Sequence, residues 1–385
     1  MREIDKMRVV IGTTTGFHLR RLATFLQNKP LELSYFSYMP RFRLRQEGIA
    51  DAVSTSLFGP LLPLSAIALI RHLPQLRSWA TERLFAPTDV AIANRLPPCD
   101  VFIGLSSMTV RAARQAKERF GATIILERGS RHVLSQNELV VAGGGAPLSN
   151  MWIDRELEGY SVADYISVLS GHAFESFSER GFPRERLFLN PLGVDLSIFR
   201  PQPGPPLPPK LLYVGAWSLR KGVDLLAAAM EQRAQWTLSH VGAITDAAPS
   251  RLRNVQHIGQ RTHKQLADLM KDHHLLVLPS REDGFGMVLL EALASGLPVV
   301  ASHLTGAPDI QRKMKEPRYI ETCKAGDGAS LLIALDVMIA RLGSFPIDRV
   351  ILTASDQQEF SWPSYGERYW SFLKSLKDRG ETALP

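Results

Sequence analysis

Two carboxylates and two neighbouring cations stand out by type and spacing. Asp283 and Glu291 lie eight residues apart within Pro279–Val300, PSREDGFGMVLLEALASGLPVV. Asp283-Gly284-Phe285-Gly286 suits a tight turn, with glycines where backbone must bend or approach a ligand. Met287 to Ser295 are strong helix formers, and Gly296 with Pro298 marks the stop. A helix that starts after such a turn offers unpaired N–H groups to an anionic or hydroxyl-rich ligand. Two carboxylates just over two helical turns apart are then placed to hold two parts of one elongated polar ligand. The alternative is that Asp283 only caps the helix and Glu291 is a solvated helix residue. Spacing alone leaves both readings open. Arg220 and Lys221 lie between an expected strand, Lys210–Gly215, and an expected helix, Val223–Met230. Cations at a helix N-terminus oppose its dipole by a few tenths of a kcal/mol each. That misfit is explained if they neutralise an anion, such as a diphosphate, that the helix N–H groups also face.

The elements needed to position these residues read as alternating short apolar strands and helices, the pattern of a doubly wound α/β chain. At 385 residues there is room for two domains, each with its own core. A 45% hydrophobic and 22% charged composition is that of a globular protein. Cys99 and Cys323 are the only cysteines, which argues for a reducing compartment and against a disulfide frame or a cysteine zinc site. The N-terminus lacks a long apolar run, so no signal peptide is read and a cytoplasmic location is expected. Residues 1–150 hold 19 Lys and Arg against 11 Asp and Glu, so this part carries the chain's net positive charge. A basic half suggests an anionic partner such as a membrane surface, a phosphorylated or lipid-linked acceptor, or nucleic acid, or else a solvated face of no specific use.

Along that first half, Met7–Gly12 reads as a strand and Thr13–Gly16 as a turn, followed by a helix through Leu26. Gly12 and Gly16 would let this turn approach a phosphate or sugar. His18 reads as a surface or interface residue. Arg41, Arg43 and Arg45 alternate with Phe42 and Leu44, which fits either a loop against phospholipid headgroups or an edge strand with one charged face. Leu57–Ile70 is apolar but too short and proline-broken for a membrane span. With Arg71, Arg77 and Arg83 beside it, it either lies on an interface or packs under a cleft. Asp100–Leu105 and Ala122–Glu127 read as buried parallel strands joined by the helix Val110–Phe120. The second ends in Glu127-Arg128-Gly129-Ser130-Arg131-His132, at the strand end where open α/β sheets place ligands. Pro201–Pro209 reads as a stiff linker. His263, His273 and His274 have no partners at metal spacing and read as ordinary loop residues. No helix-turn-helix or aromatic-basic RNA motif is present, so nucleic acid is not expected as a partner.

The stretch around Asp283 and Glu291 resembles the E-x7-E signature of the retaining GT-B glycosyltransferases of group 1. The runs Pro191-Leu192-Gly193-Val194-Asp195, Gly306-Ala307-Pro308-Asp309 and Phe360-Ser361-Trp362 are similar to further parts of that family. The resemblance covers about residues 160–375 and is loose before residue 150. It implies two Rossmann-like domains facing each other across a cleft: an acceptor domain over 1–200 and a nucleotide-sugar domain over 210–362. The linker 201–209 lies between them, and a C-terminal helix, 363–385, crosses back. It implies that Asp283, with the amides of Gly284, Phe285, Gly286 and Met287, meets a donor sugar, and that Glu291 meets the ribose. Arg220 and Lys221 would face the diphosphate, and His132 would stand near the reacting sugar. Ala216 occupies a position where the family commonly has Arg, so Arg220 is expected to supply that charge. Glu282 precedes Asp283, and which carboxylate acts first stays open. The implied reaction is transfer of a sugar from a nucleotide-sugar to a hydroxyl of a glycan, lipid-linked or small acceptor, with retention. No D-x-D motif is present, and neither a metal nor a cofactor is expected. A sugar-nucleotide epimerase or a non-catalytic nucleotide-sugar binder would share these residues. Peripheral contact with an anionic membrane is expected from the basic first half.

Overall fold

The computed structural model describes residues 6–14, 18–61, 77–203, 209–346 and 348–380. Gly16, Arg71, residues 62–70 of the apolar stretch and residues 204–208 of the proline-rich linker lie outside these, as do the side chains of Arg77 and Arg83.

Two parallel sheets organise the chain. The first is built from β1 (Arg8–Thr13), β2 (Glu32–Ser37), β3 (Ser54–Ser56), β4 (Val101–Leu105), β5 (Thr123–Arg128), β6 (Tyr165–Val168) and β7 (Leu187–Leu189), in the order β3-β2-β1-β4-β5-β6-β7. The second contains β8 (Lys210–Val214), β9 (Thr237–Val241), β10 (Val255–His257), β11 (Leu275–Leu278), β12 (Val299–Ser302) and β13 (Ile320–Cys323), in the order β10-β9-β8-β11-β12-β13. Strands covered on both faces by helices must be apolar throughout, and LLVL of β11 and VFIGL of β4 are buried along their whole length. In each sheet the order reverses direction beside its first strand, between β1 and β4 and between β8 and β11. At such a point the connections leave toward opposite faces and open a crevice at the carboxyl ends of the strands.

The helix Trp362–Asp378 follows the second sheet but packs on the first domain. Its Phe372 stacks on Phe188 with ring centroids 4.2 Å apart, and Lys29 holds its Glu367 at 2.6 Å. Arg41–Gln46 is a short helix rather than a loop or strand. Pro40 stands before it, where a missing N–H costs nothing, and Arg, Leu and Gln are good helix formers. One buried residue, Leu44, anchors it, while Phe42 remains 58% exposed.

Candidate active site

The two turns that carry the candidate residues follow β8 and β11, the adjacent strands at the second sheet's switch point. After β8 the chain makes a single tight turn at Leu219–Lys221, and Gly222, with φ +70°, starts the helix Val223–Gln232. A side chain at Gly222 would come within 2.2 Å of the Pro279 carbonyl, so glycine lets the two turns touch. Arg281 locks them together, donating to the Leu219 carbonyl at 2.7 Å and pairing with Asp224 at 2.6 Å. Gly286, with φ +75°, opens the helix Met287–Ala294, whose N-terminal end faces the cleft.

This packing sets the electrostatics. Lys221 donates to Asp283 in a tight ion pair. Burial pushes the Asp283 carboxyl up, but Lys221 and Arg220 more than offset it and hold it below the ordinary value. Burial and the neighbouring Arg220 lower Lys221, with Asp283 opposing them. Glu282 is fully buried, turned to Ser130 at 2.5 Å and to Arg220 at 3.1 Å. Glu291, inside the helix, meets one ionisable side chain among the described residues, His263 at 3.7 Å. Burial lifts its carboxyl to about 7.

A cleft of about 690 Å³ lies between the domains, lined by Arg220, Asp283, Gly284, Phe285, Gly286, Met287 and Glu291 on one side. His18, Ser106, Glu127, Arg128, Trp152 and Glu156 line the other. On that first-domain wall the His18 ring meets Glu127 at 2.9 Å, and Arg128 pairs with Glu156 at 2.7 Å and donates to Gln136 at 2.7 Å. The cleft thus offers one cation, a carboxylate and a helix N-terminus at one end, and a second carboxylate deeper along the same helix. That set suits an elongated ligand with an anionic centre and hydroxyls on either side of it.

The structure therefore brings Arg220, Asp283, the glycine turn and Glu291 to one cleft, with Lys221 directly behind Asp283. Gly16 lies outside the described residues. Two histidine expectations change and one is settled. His132 does not line the cleft: it is the N-cap of the helix Val133–Ala142, its Nδ1 accepting from the Leu134 N–H. Its ring packs against Tyr160 and Phe177, and burial, Arg180 and Arg128 lower its pKa to about 4. The chain turns between Glu127 and His132, so Glu127 and Arg128 reach the cleft while His132 is carried behind them. Of the two readings of His18, surface or interface, the structure gives the second, as part of the cleft wall between the domains. His263 is not an isolated loop residue: it begins the helix His263–Lys271 and faces Glu291. The polar run ending β5 marked Glu127 and Arg128 as candidates, but nothing local pointed to His18, whose partner is 109 residues away.

Residues 208–336 match the family described as Glycosyl transferases group 1. Over 105 residues the chain is 31% identical to an uncharacterized glycosyltransferase of Methanocaldococcus jannaschii, covering 26% of this chain and 30% of that protein. Over 126 residues it is 32% identical to a GDP-mannose:cellobiosyl-diphosphopolyprenol alpha-mannosyltransferase of Xanthomonas oryzae, covering 29% of this chain and 33% of that protein. The chain thus spans about a third of the length of these curated relatives. Among solved structures, sucrose-phosphate synthase from Thermosynechococcus elongatus superposes with a TM-score of 0.65 at 17% identity, over 97% of this chain and 100% of that one. The Anabaena protein HepE, solved in complex with UDP and glucose, gives 0.64 at 17%, over 96% and 100%. These are two-domain GT-B folds, and this chain has that architecture. The match to group 1 glycosyltransferases lies in the second domain, over residues 208–336.

Proposed function

We propose that the protein transfers a sugar from a nucleotide-diphosphate-sugar to a hydroxyl group, with retention of anomeric configuration. The observation that carries this reading is the convergence of Arg220, Asp283, the Met287–Ala294 helix N-terminus and Glu291 on one interdomain cleft. Similar proteins support the donor class: one is a GDP-mannose-dependent mannosyltransferase, and HepE was solved in complex with UDP and glucose.

As the glycosidic bond breaks, the leaving diphosphate gains negative charge and the sugar becomes oxocarbenium-like. Arg220 and the turn amides stabilise that charge more in the transition state than in the bound donor. Lys221 fixes Asp283, which orients the sugar hydroxyls, and Glu291 accepts from the ribose. His18 and Glu127 face the acceptor side. The mechanism calls on Arg220 and the turn amides rather than a metal for charge neutralisation. Among the described residues no group of three or more His, Cys, Asp and Glu stands together as a metal site.

The test is a panel of nucleotide-sugars screened for thermal stabilisation and for release of nucleoside diphosphate, with product configuration read by NMR. One stabilising, consumed donor is the expected result. A panel in which no nucleotide-sugar raises the melting temperature contradicts the proposal, and an epimerised free sugar-nucleotide product replaces transfer with epimerisation.

A peripheral membrane contact rests on a separate observation. Exposed Phe42 is flanked by exposed Arg41 and Arg43 on a short surface helix. Among the described residues no helix is long and apolar enough to cross a membrane. Sedimentation with phosphatidylglycerol vesicles at low salt is expected. Loss of binding in Phe42→Ser supports this surface, whereas wild-type protein that stays in solution removes it.

A further inference from the structure

Glu282 is a buried carboxylate between the donor turn and the first domain. Its Oε1 accepts from the Ser130 hydroxyl at 2.5 Å and the Arg131 N–H at 3.4 Å. Its Oε2 accepts from Gln136 Nε2 at 3.3 Å and Arg220 Nη1 at 3.1 Å. Three of these four donors come from the first domain, and only Arg220 comes from the second. A buried charge needs its full set of partners, and losing them is costly. Glu282 is therefore satisfied in this way only while the first domain is seated.

Arg220 is the other half of the arrangement. Its side chain is 34% exposed and lines the cleft. Among the described residues its side-chain hydrogen bonds all leave from Nη1, to the Glu282 carboxylate and carbonyl. A guanidinium is a rigid fork with five donors, so fixing one edge aims the other. Arg220 itself lines the cleft. The same seam holds the next two residues. Ser170 donates to the Gly284 carbonyl at 2.6 Å, His172 Nε2 meets the Asp283 carbonyl at 2.9 Å, and a side chain at Gly284 would come within 1.9 Å of the Gly129 carbonyl. The first domain thus sits directly on the backbone that carries the donor residues.

We propose that Ser130, acting through Glu282, sets the position of Arg220, so that the cationic wall of the donor site is completed by seating of the first domain. Ser130 and Glu282 are positioning residues: neither needs to touch the donor. The inference rests on the nucleotide-sugar reading above and adds to it a coupling between domain closure and diphosphate stabilisation. Its chemical consequence is that a donor bound to an unseated protein lacks part of its leaving-group stabilisation and is protected from wasteful hydrolysis.

The test is a double-mutant cycle of Ser130→Ala and Arg220→Ala. It is read with UDP-glucose and GDP-mannose as donors and with UDP and GDP as binding probes. Ser130→Ala is expected to lower kcat about tenfold with a smaller change in donor KM, and to add nothing in the Arg220→Ala background. Ser130→Thr, which keeps the hydroxyl, is expected to restore kcat. Losses that multiply, or a Ser130→Ala variant altered only in melting temperature, overturn the coupling and leave the transferase reading standing. A wild-type protein that neither binds UDP or GDP nor consumes either donor overturns both.

Discussion

Asp283 and Glu291 lie near opposite ends of one glycine turn and helix, yet their surroundings differ in kind. Asp283 is bound by Lys221, with Arg220 close by, and its pKa is held below the ordinary value in spite of burial. Among the described residues Glu291 has only His263, at 3.7 Å, and burial lifts its carboxyl to about 7. The first acid is part of a satisfied internal network that defines the site's shape. The second carries a desolvation cost that the protein's own residues do not offset. A buried carboxylate kept at such a cost fits a group that acts on a ligand rather than on the fold. Ribose hydroxyls, donating to the ionised form, would supply what the protein leaves out.

The comparison breaks most visibly at the paired end. Lys221→Ala removes the partner of a half-buried carboxylate, which costs roughly 1–3 kcal/mol of stability. The same change is expected to lower the transfer rate roughly 10²–10³-fold, since the sugar-orienting acid loses its fixed position. Chemical denaturation and steady-state kinetics check the two effects. A variant with unchanged stability would show that the Lys221–Asp283 pair is not the anchor described here.

At the unpaired end the sign reverses. A carboxyl whose folded pKa lies above its unfolded value contributes stability below the unfolded pKa and loses it as pH rises through the folded one. Glu291 therefore weakens the free protein from about pH 5 upward, reaching its full effect above about pH 7. Glu291→Gln is expected to stabilise the free protein at pH 8 by up to roughly 3 kcal/mol, a gain that shrinks toward pH 5. The same substitution should weaken nucleotide-sugar binding about tenfold or more, read by calorimetry at pH 8.

The smallest effect sharpens the contrast from outside the cleft. His132→Asn keeps an N-cap acceptor but loses the ring contacts with Tyr160 and Phe177, costing about 1 kcal/mol. The transfer rate should stay within about twofold of wild type, because His132 does not line the cleft. A large rate loss at unchanged stability would return His132 to the site.

The difference between the ends also explains what was readable from the chain. Asp283, the glycine turn and Glu291 lie within nine consecutive residues, so helix periodicity and glycine placement were enough to put them together. The family resemblance joined Arg220 and Lys221 to them, and the fold brings them there because β8 and β11, neighbours at the switch point, set their turns side by side. What stayed hidden was long-range. Glu282 looked like a rival to Asp283, and only the seating of Ser130, 152 residues away, turns it inward. His18 pairs with Glu127 across two strands, which no local pattern encodes. His132 was read one step wrongly for a local reason: the residue after a strand-end loop became the cap of the next helix. The Arg41–Gln46 alternation suggested a loop or an edge strand because two apolar residues fell at period two, but helix propensity and one buried Leu44 decided otherwise.

The most direct measurement is the stability of wild-type protein and Glu291→Gln from pH 5 to pH 8, with and without UDP or GDP. Without nucleotide the variant should be the more stable at pH 8, and the two should converge toward pH 5. With the nucleotide that binds, wild type should gain the more, by about 1.4 kcal/mol at saturation for a tenfold affinity difference, and so narrow the gap, because the ionised carboxylate accepts from the ribose. Equal gains for both proteins, or none for either with both nucleotides, would contradict a ligand-facing role for Glu291 and the nucleotide-sugar site built on it.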